Sequence, residues 1–232
     1  MTITFITGAN KGLGRETARR LIELGHTVLV GARDPERGAE AAAALGARFV
    51  PIDVSDDASV AAAAADVAEY EGVIDMLINN AGIPGPAGDP GTFTGAEALH
   101  VFDVNVIGAV RVTTAFLPLL RRSPDPVIVN VSSGMGSLAY THDPSRSESK
   151  VIAPLYTASK AALTMLTTQY AKALPDIRIN AADPGYTATD LTGHTGQQTV
   201  TEGTDAIVAL ATERPGAGSG RFVDRQGEID WS

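Results

Sequence analysis

The run Ile3–Thr7 leads straight into the glycine spacing Thr7-Gly8-Ala9-Asn10-Lys11-Gly12-Leu13-Gly14, and Leu13, Thr17, Leu21 and Leu24 then recur at helical spacing. A strand that ends in glycines and restarts at once as a helix restricts the fold strongly. The turn must be tight, the helix must pack close to the strand, and the strand must continue into a sheet that the helix covers. The rest of the chain keeps this rhythm. Short β-branched runs at Thr27–Gly31, Arg48–Ile52, Met76–Asn79, Val127–Val131, Ile177–Ala181 and Gly220–Asp224 alternate with apolar residues at helical spacing. The helical sets are Val60, Ala64 and Val67; Val104, Val112, Phe116 and Leu119; and Leu163, Leu166 and Tyr170.

Strands alternating with helices imply a mostly parallel sheet covered on both faces. The expected fold is therefore a Rossmann-type doubly wound α/β domain with seven strands, spanning residues 1–232 as one unit. Aromatic residues make up only 5% of the chain, so the core must rest on Ala, Val, Ile and Leu. Two stretches break the rhythm, Ile83–Thr94 and Gly134–Pro154. Both follow strands, and in an open parallel sheet ligands bind at the carboxyl ends of strands, so both are expected to border the ligand crevice.

Composition removes several classes of function. There is no cysteine, which excludes disulfides, thiolate metal sites and cysteine nucleophiles and is compatible with a reducing cytoplasm. A net charge of −9 argues against a nucleic-acid partner. No uninterrupted apolar run approaches the roughly 18 residues of a membrane span. His26, His100, His142 and His194 show no spacing that suggests a metal site, and none is expected.

The glycine loop carries chemistry as well as geometry. Backbone can approach a pyrophosphate there, and the helix N-terminus offers free N–H groups to it, which points to a dinucleotide. The end of the second strand should then decide between the two nicotinamide cofactors. An acid there would accept a ribose hydroxyl, but the chain has Ala32 followed by Arg33, with Lys11 in the loop nearby. Two cations suit a 2′-phosphate, so NADP(H) is expected over NAD(H), with Asp34 as the complicating carboxylate. Further along, Tyr156 and Lys160 stand four apart in a helix-favouring stretch and so share a face, where an ammonium should lower the phenol's pKa.

Thr7-Gly8-x-x-x-Gly12-x-Gly14, Asn79-Asn80-Ala81-Gly82, Val131-Ser132-Ser133 and Tyr156-x-x-x-Lys160, in this order, resemble the compact branch of the short-chain dehydrogenase/reductase family over nearly the whole chain. The resemblance implies a catalytic set of Asn105, Ser133, Tyr156 and Lys160. In it Tyr156 is the general acid, Ser133 holds the substrate carbonyl, and Asn105 bends a helix and places a water on Lys160. Lys160 also binds the nicotinamide ribose. The implied cofactor contacts are Gly8, Asn10, Lys11, Gly12, Leu13, Gly14, Arg33, Asp53, Val54, Asn80, Ala81, Gly82, Tyr156, Lys160, Pro184, Gly185, Thr187 and Thr189. Asp53 is expected at the adenine amine or as a helix cap, Asn79 in a structural role, and Ser132 in packing.

The implied activity is NADPH-dependent reduction of a ketone or aldehyde. The alternatives are a reductase of carrier-bound 3-oxoacyl groups and a catalytically silent NADP-sensing protein. From Ser133 to Tyr156 the chain is longer than usual for this branch by about ten residues, which leaves monomer, homodimer and tetramer all open. The stretch after Pro184-Gly185 is short and suggests a small lid. Trp231 is expected to anchor the C-terminal tail.

Overall fold

In the computed structural model, which describes residues 2–230, the central sheet is built from eight strands. These are β1 (Ile3–Thr7), β2 (Thr27–Ala32), β3 (Arg48–Pro51), β4 (Met76–Asn79), β5 (Val127–Val131), β6 (Arg178–Ala182), β7 (Phe222–Asp224) and β8 (Gly227–Glu228). Their spatial order is β3-β2-β1-β4-β5-β6-β7-β8, and every pairing is parallel except that of β7 with β8. The order reverses between β1 and β4, which is where a doubly wound sheet opens its crevice. The expected count of seven strands is thus one short. β8 is a two-residue return strand, made when Asp224 Oδ1 accepts from the backbone N–H groups of Gln226 and Gly227 at 2.7 and 3.0 Å. So short a strand has no periodicity to read.

Alternation along each strand sends side chains to opposite faces. Phe5, Leu29, Leu77, Ile128 and Ile179 enter one core with α3 (Asp57–Tyr70) and α5 (Gly108–Leu120). Ile6, Val28, Val30, Ile78 and Val129 enter the other, with α1 (Gly12–Glu23) and residues 206–211. Phe5 and Phe116 pack with ring centroids 4.5 Å apart, which seals the first core with the chain's scarce aromatics. α2 (Pro35–Leu45) begins at Asp34, whose carboxylate accepts from Arg37 N and Arg37 Nε at 3.0 and 2.7 Å. Its C-terminus closes on Gly46 in the left-handed conformation.

α4 (Gly95–Phe102) runs through a π-helical turn, Asp103–Ile107, directly into α5. The combined helix, Gly95–Leu120, is long and apolar enough to cross a membrane by length and composition. Half of its most apolar window is buried inside the protein, with Val104, Val112, Phe116 and Leu119 in the core. Gly108 is required beside the π turn, since a Cβ there would lie 2.9 Å from the Val54 side chain.

Gly134–Pro154, which breaks the rhythm of the sequence between β5 and the next long helix, is largely exposed yet ordered. It holds a 3₁₀ turn (Gly134–Gly136), the short helix α6 (Leu138–His142) and a second 3₁₀ turn (Glu148–Lys150). The segment is latched to the C-terminal strands. Ser137 Oγ donates to the Asp230 carbonyl at 2.8 Å, Tyr140 Oη reaches Asp224 at 3.4 Å, and the Arg146 guanidinium stacks 3.2 Å from the Tyr140 ring centroid. α7 (Pro154–Ala173) follows, and after β6 come α8 (Val200–Gly203) and α9 (Asp205–Thr212). Trp231 lies outside the described residues.

Candidate active site

A cleft of about 790 Å³ lies along the carboxyl ends of the strands. All the expected cofactor contacts line it, from Gly8 and Lys11 at one end to Pro184, Gly185, Thr187 and Thr189 at the other. Ser133, Tyr156 and Lys160 line it too. Asn105 does not.

The glycine loop is shaped for close approach. Gly8 has φ +65° and Gly12 φ +52°, conformations that favour glycine. A Cβ on Gly14 would sit 2.5 Å from both the Gly8 carbonyl oxygen and Asn80 Nδ2, so the helix starts in direct contact with the strand ends. No side chain caps α1, which leaves its N-terminal amides to the cleft. Asn80 Nδ2 donates to the carbonyls of Thr7 and Gly8 at 2.8 and 3.1 Å. That amide clamps the loop while Asn80 lines the cleft. Asn79 is structural as expected, donating to Thr113 Oγ1 and Asn130 Oδ1 at 3.1 and 2.9 Å.

Beside the glycine loop, both cations are held by carboxylates. Lys11 Nζ lies 2.7 Å from Asp190 Oδ2, and Arg33 Nη1 lies 3.9 Å from Asp53 Oδ2. Asp34 is committed to capping α2, which removes it as a rival for the ribose. Asp53 caps no helix; α3 is capped by Asp56. Asp53 Oδ1 instead accepts from the Ser55 N–H and hydroxyl at 3.0 and 2.6 Å, and these bonds, with Arg33 nearby, hold its pKa below the usual range against partial burial.

At the catalytic end, α7 places Tyr156 and Lys160 one turn apart, with Lys160 Nζ 5.6 Å from the Tyr156 ring centroid. Ser133, just past the end of β5, stands beside Tyr156, where its hydroxyl favours the phenolate. Lys160 is 4% exposed, and its ammonium donates to the Val131 carbonyl at 2.8 Å. Ser132 packs as expected, its hydroxyl 3.1 Å from the Lys160 carbonyl and 2.7 Å from Thr164 Oγ1.

The electrostatics correct one expectation. Within the protein's own groups the Tyr156 phenol is raised, not lowered: burial pushes it up to about 12, against an opposing pull from the Ser133 hydroxyl. Burial pushes the Lys160 ammonium the other way, down to about 8, and nearby Asp183 partly offsets this. Desolvation disfavours the charged form of each group, and it is the largest cause of both shifts.

Asn105 lies within the π turn between α4 and α5, at the helix irregularity expected of it. Its Oδ1 accepts from Ile83 N at 2.8 Å, and its Nδ2 donates to the Ile83 carbonyl and to Ser159 Oγ, both at 2.9 Å. Its side chain fastens the loop after β4 to the π turn and to α7, behind the cleft, so it positions rather than reacts.

Two wall residues escaped sequence reasoning. Asp183 is 4% exposed, and burial pushes its carboxyl up to about 6. Glu148 comes from the inserted segment and lies beside it across Gly134. An acid directly before Pro184-Gly185 was a readable signal for the first; nothing local marked the second. Of the expected wall Ile83–Thr94, only Ile83 and Pro84 line the cleft.

A fold and site of this kind define a nucleotide-binding oxidoreductase. The family model for short chain dehydrogenases matches residues 2–200, and the chain belongs to that family. It is an NAD(P)-dependent oxidoreductase, and its partners include a nicotinamide cofactor and a small-molecule substrate. The short-chain dehydrogenase anuI of Penicillium roqueforti is 37% identical over 98% of this chain and 95% of its own length. The (-)-isopiperitenone reductase of Mentha piperita is 32% identical over 95% of each chain. Among solved structures, the NADPH-bound carbonyl reductase from chicken fatty liver superposes with a TM-score of 0.89 at 29% identity, covering 100% of both chains.

Proposed function

We propose that this protein reduces a ketone or aldehyde to an alcohol with NADPH, using Tyr156 as the proton donor. The observation that carries the reading is the convergence of Ser133, Tyr156 and the buried Lys160 ammonium on one cleft wall.

The residues present fit the cofactor. The crowding at Gly14 and the uncapped start of α1 make the cradle a pyrophosphate needs. Lys11 and Arg33 are the cations for a 2′-phosphate, and the NADPH-bound state of the similar carbonyl reductase supports that choice. When bound, the reduced nicotinamide supplies the hydride. Pro184, Gly185, Thr187 and Thr189 would hold its carboxamide end, and Lys160 its ribose.

The chain's own groups handle the oxygen and the proton. The Ser133 and Tyr156 hydroxyls both donate to the substrate carbonyl oxygen, polarising it and fixing which face it presents. As negative charge builds on that oxygen, the Tyr156 O–H bond breaks and its proton moves across. A phenol raised to about 12 stays protonated at neutral pH, so it starts each reduction in the competent form. The Lys160 ammonium, fixed to Val131, then stabilises the phenolate until a proton returns.

The test is titration of NADPH and NADH, followed by loss of reduced-nicotinamide absorbance with a panel of aldehydes, ketones and quinones. Turnover with NADPH preferred, abolished in Tyr156→Phe, is the expected result. Tight NADPH binding with no turnover across the panel overturns the reading.

A further inference from the structure

Asp183 is a buried carboxylate on the cleft wall that the reduction does not use. Its Oδ1 accepts from Gly185 N at 2.9 Å, and the nearby Gly134 N–H also favours its charged form. Among the described residues, no Lys or Arg lies within ion-pair distance of it. Gly134, directly after Ser133, shows what stands beside it. A Cβ there would lie 2.8 Å from Asp183 Oδ2 and 2.9 Å from Glu148 Oε1, so two carboxylate oxygens converge on one spot. The sole ion-pair partner of Glu148 among the described residues is Arg146, at 3.1 Å, and that guanidinium is already stacked on Tyr140. Two carboxylates thus share one cation at a place where burying unmatched charge is costly.

The same wall borders a second, smaller cavity of about 140 Å³, which Asp224 and Gln198 also line. Gln198 Oε1 is buried with no hydrogen-bond partner. A carboxylate pair and an orphan carbonyl oxygen make a subsite rich in acceptors. The other charges around it do not fill that need: Arg225 is paired with Glu202 and Asp205, and Lys160 is fixed to Val131.

We infer that the substrate carries an ammonium group, a protonated amine, which docks on Asp183 and Glu148 while its carbonyl is held by Ser133 and Tyr156. The inference rests on the reductase reading above and adds the substrate class. An ammonium adds a second cation beside two carboxylates that have only Arg146 between them, whereas a carboxylate in the same place is repelled.

The experiment compares three aryl ketones that differ only at the end of one alkyl tail: dimethylamino, isopropyl and carboxylate. kcat/KM with NADPH is measured for the wild type, Glu148→Gln and Asp183→Asn. Binding of the three ketones to the enzyme–NADPH complex is measured in parallel by calorimetry. The ammonium ketone is expected to exceed its isopropyl isostere by about tenfold or more, the scale of one charge-assisted hydrogen bond. The carboxylate ketone falls below both, and the ratio collapses towards one in each variant. Because the readout is a ratio, a general loss of activity does not imitate it. Glu148→Gln, on the inserted segment, serves if Asp183→Asn does not fold. An isopropyl ketone turned over as well as the ammonium ketone overturns the inference and leaves the reductase reading intact. Calorimetric preference for the ammonium without turnover of any ketone supports the subsite and counts against the reductase reading. Absence of both preference and turnover overturns both.

Discussion

The Lys160 ammonium is tied to the carbonyl of Val131, Nζ to O at 2.8 Å, at the end of the strand that also delivers Ser133. One hydrogen bond thus couples the helix that bears the tyrosine to the strand that bears the serine. It also fixes a cation in a site where burial lowers its pKa to about 8.

The first consequence is a pH limit. As pH rises through about 8, Lys160 loses its proton and the positive charge that stabilises the Tyr156 phenolate disappears. kcat/KM, which reports groups in the free enzyme, should therefore be level near neutrality and fall above that value. A profile flat to pH 10 would remove the ammonium from the mechanism.

Tyr156→Phe keeps the ring and deletes the proton. The rate of reduction should drop by roughly 10²–10⁴-fold, the usual worth of a positioned general acid, while NADPH titrates with nearly unchanged affinity. Loss of binding in step with loss of rate would point to a folding defect instead.

Cofactor choice should follow the two cations. Replacing Lys11 or Arg33 with Ala is expected to raise KM for NADPH about tenfold and to leave NADH nearly untouched, since only the former carries the phosphate that these charges meet. Asp190→Asn releases Lys11 from its 2.7 Å ion pair. Both side chains of that pair are more than half exposed, so its loss costs little stability. NADPH affinity should rise modestly, and steady-state kinetics with both cofactors decide the matter.

Gly14→Ala tests the cradle. The new methyl would meet the Gly8 carbonyl and Asn80 Nδ2 at 2.5 Å and Ala9 Cα at 2.9 Å, mostly rigid backbone. Overpacking of this kind costs about 1–3 kcal/mol. Thermal unfolding should show that loss together with weakened binding of either cofactor.

Asp183 predicts a pH-dependent stability. Its folded pKa, about 6, lies above the ordinary value of 3.8, so between these values the folded state holds a proton that the unfolded state has released. Stability falls as pH rises through this window, by about 3 kcal/mol in all at 1.36 kcal/mol per unit. Asp183→Asn carries no such penalty. Relative to wild type its melting temperature should improve from pH 4 to pH 7, and a constant difference would show that the carboxyl does not titrate there.

The sequence by itself determined the layered architecture, because strand and helix periods are local and the glycine spacing after β1 allows little else. It also determined the partnership of Tyr156 and Lys160, since residues four apart on a helix must share a face. The structural role of Asn79 and the packing of Ser132 were legible too. Tertiary structure decided what depends on distance and burial between remote segments. It turned Tyr156 upward in pKa, because desolvation is a property of the assembled cleft and not of the helix. It bound Asn105 to Ile83 and Ser159 across three elements, and ordered the inserted segment by latching it to Asp224 and Asp230. It also brought Glu148 to Asp183 across Gly134, a meeting of residues 35 positions apart that no local pattern encodes.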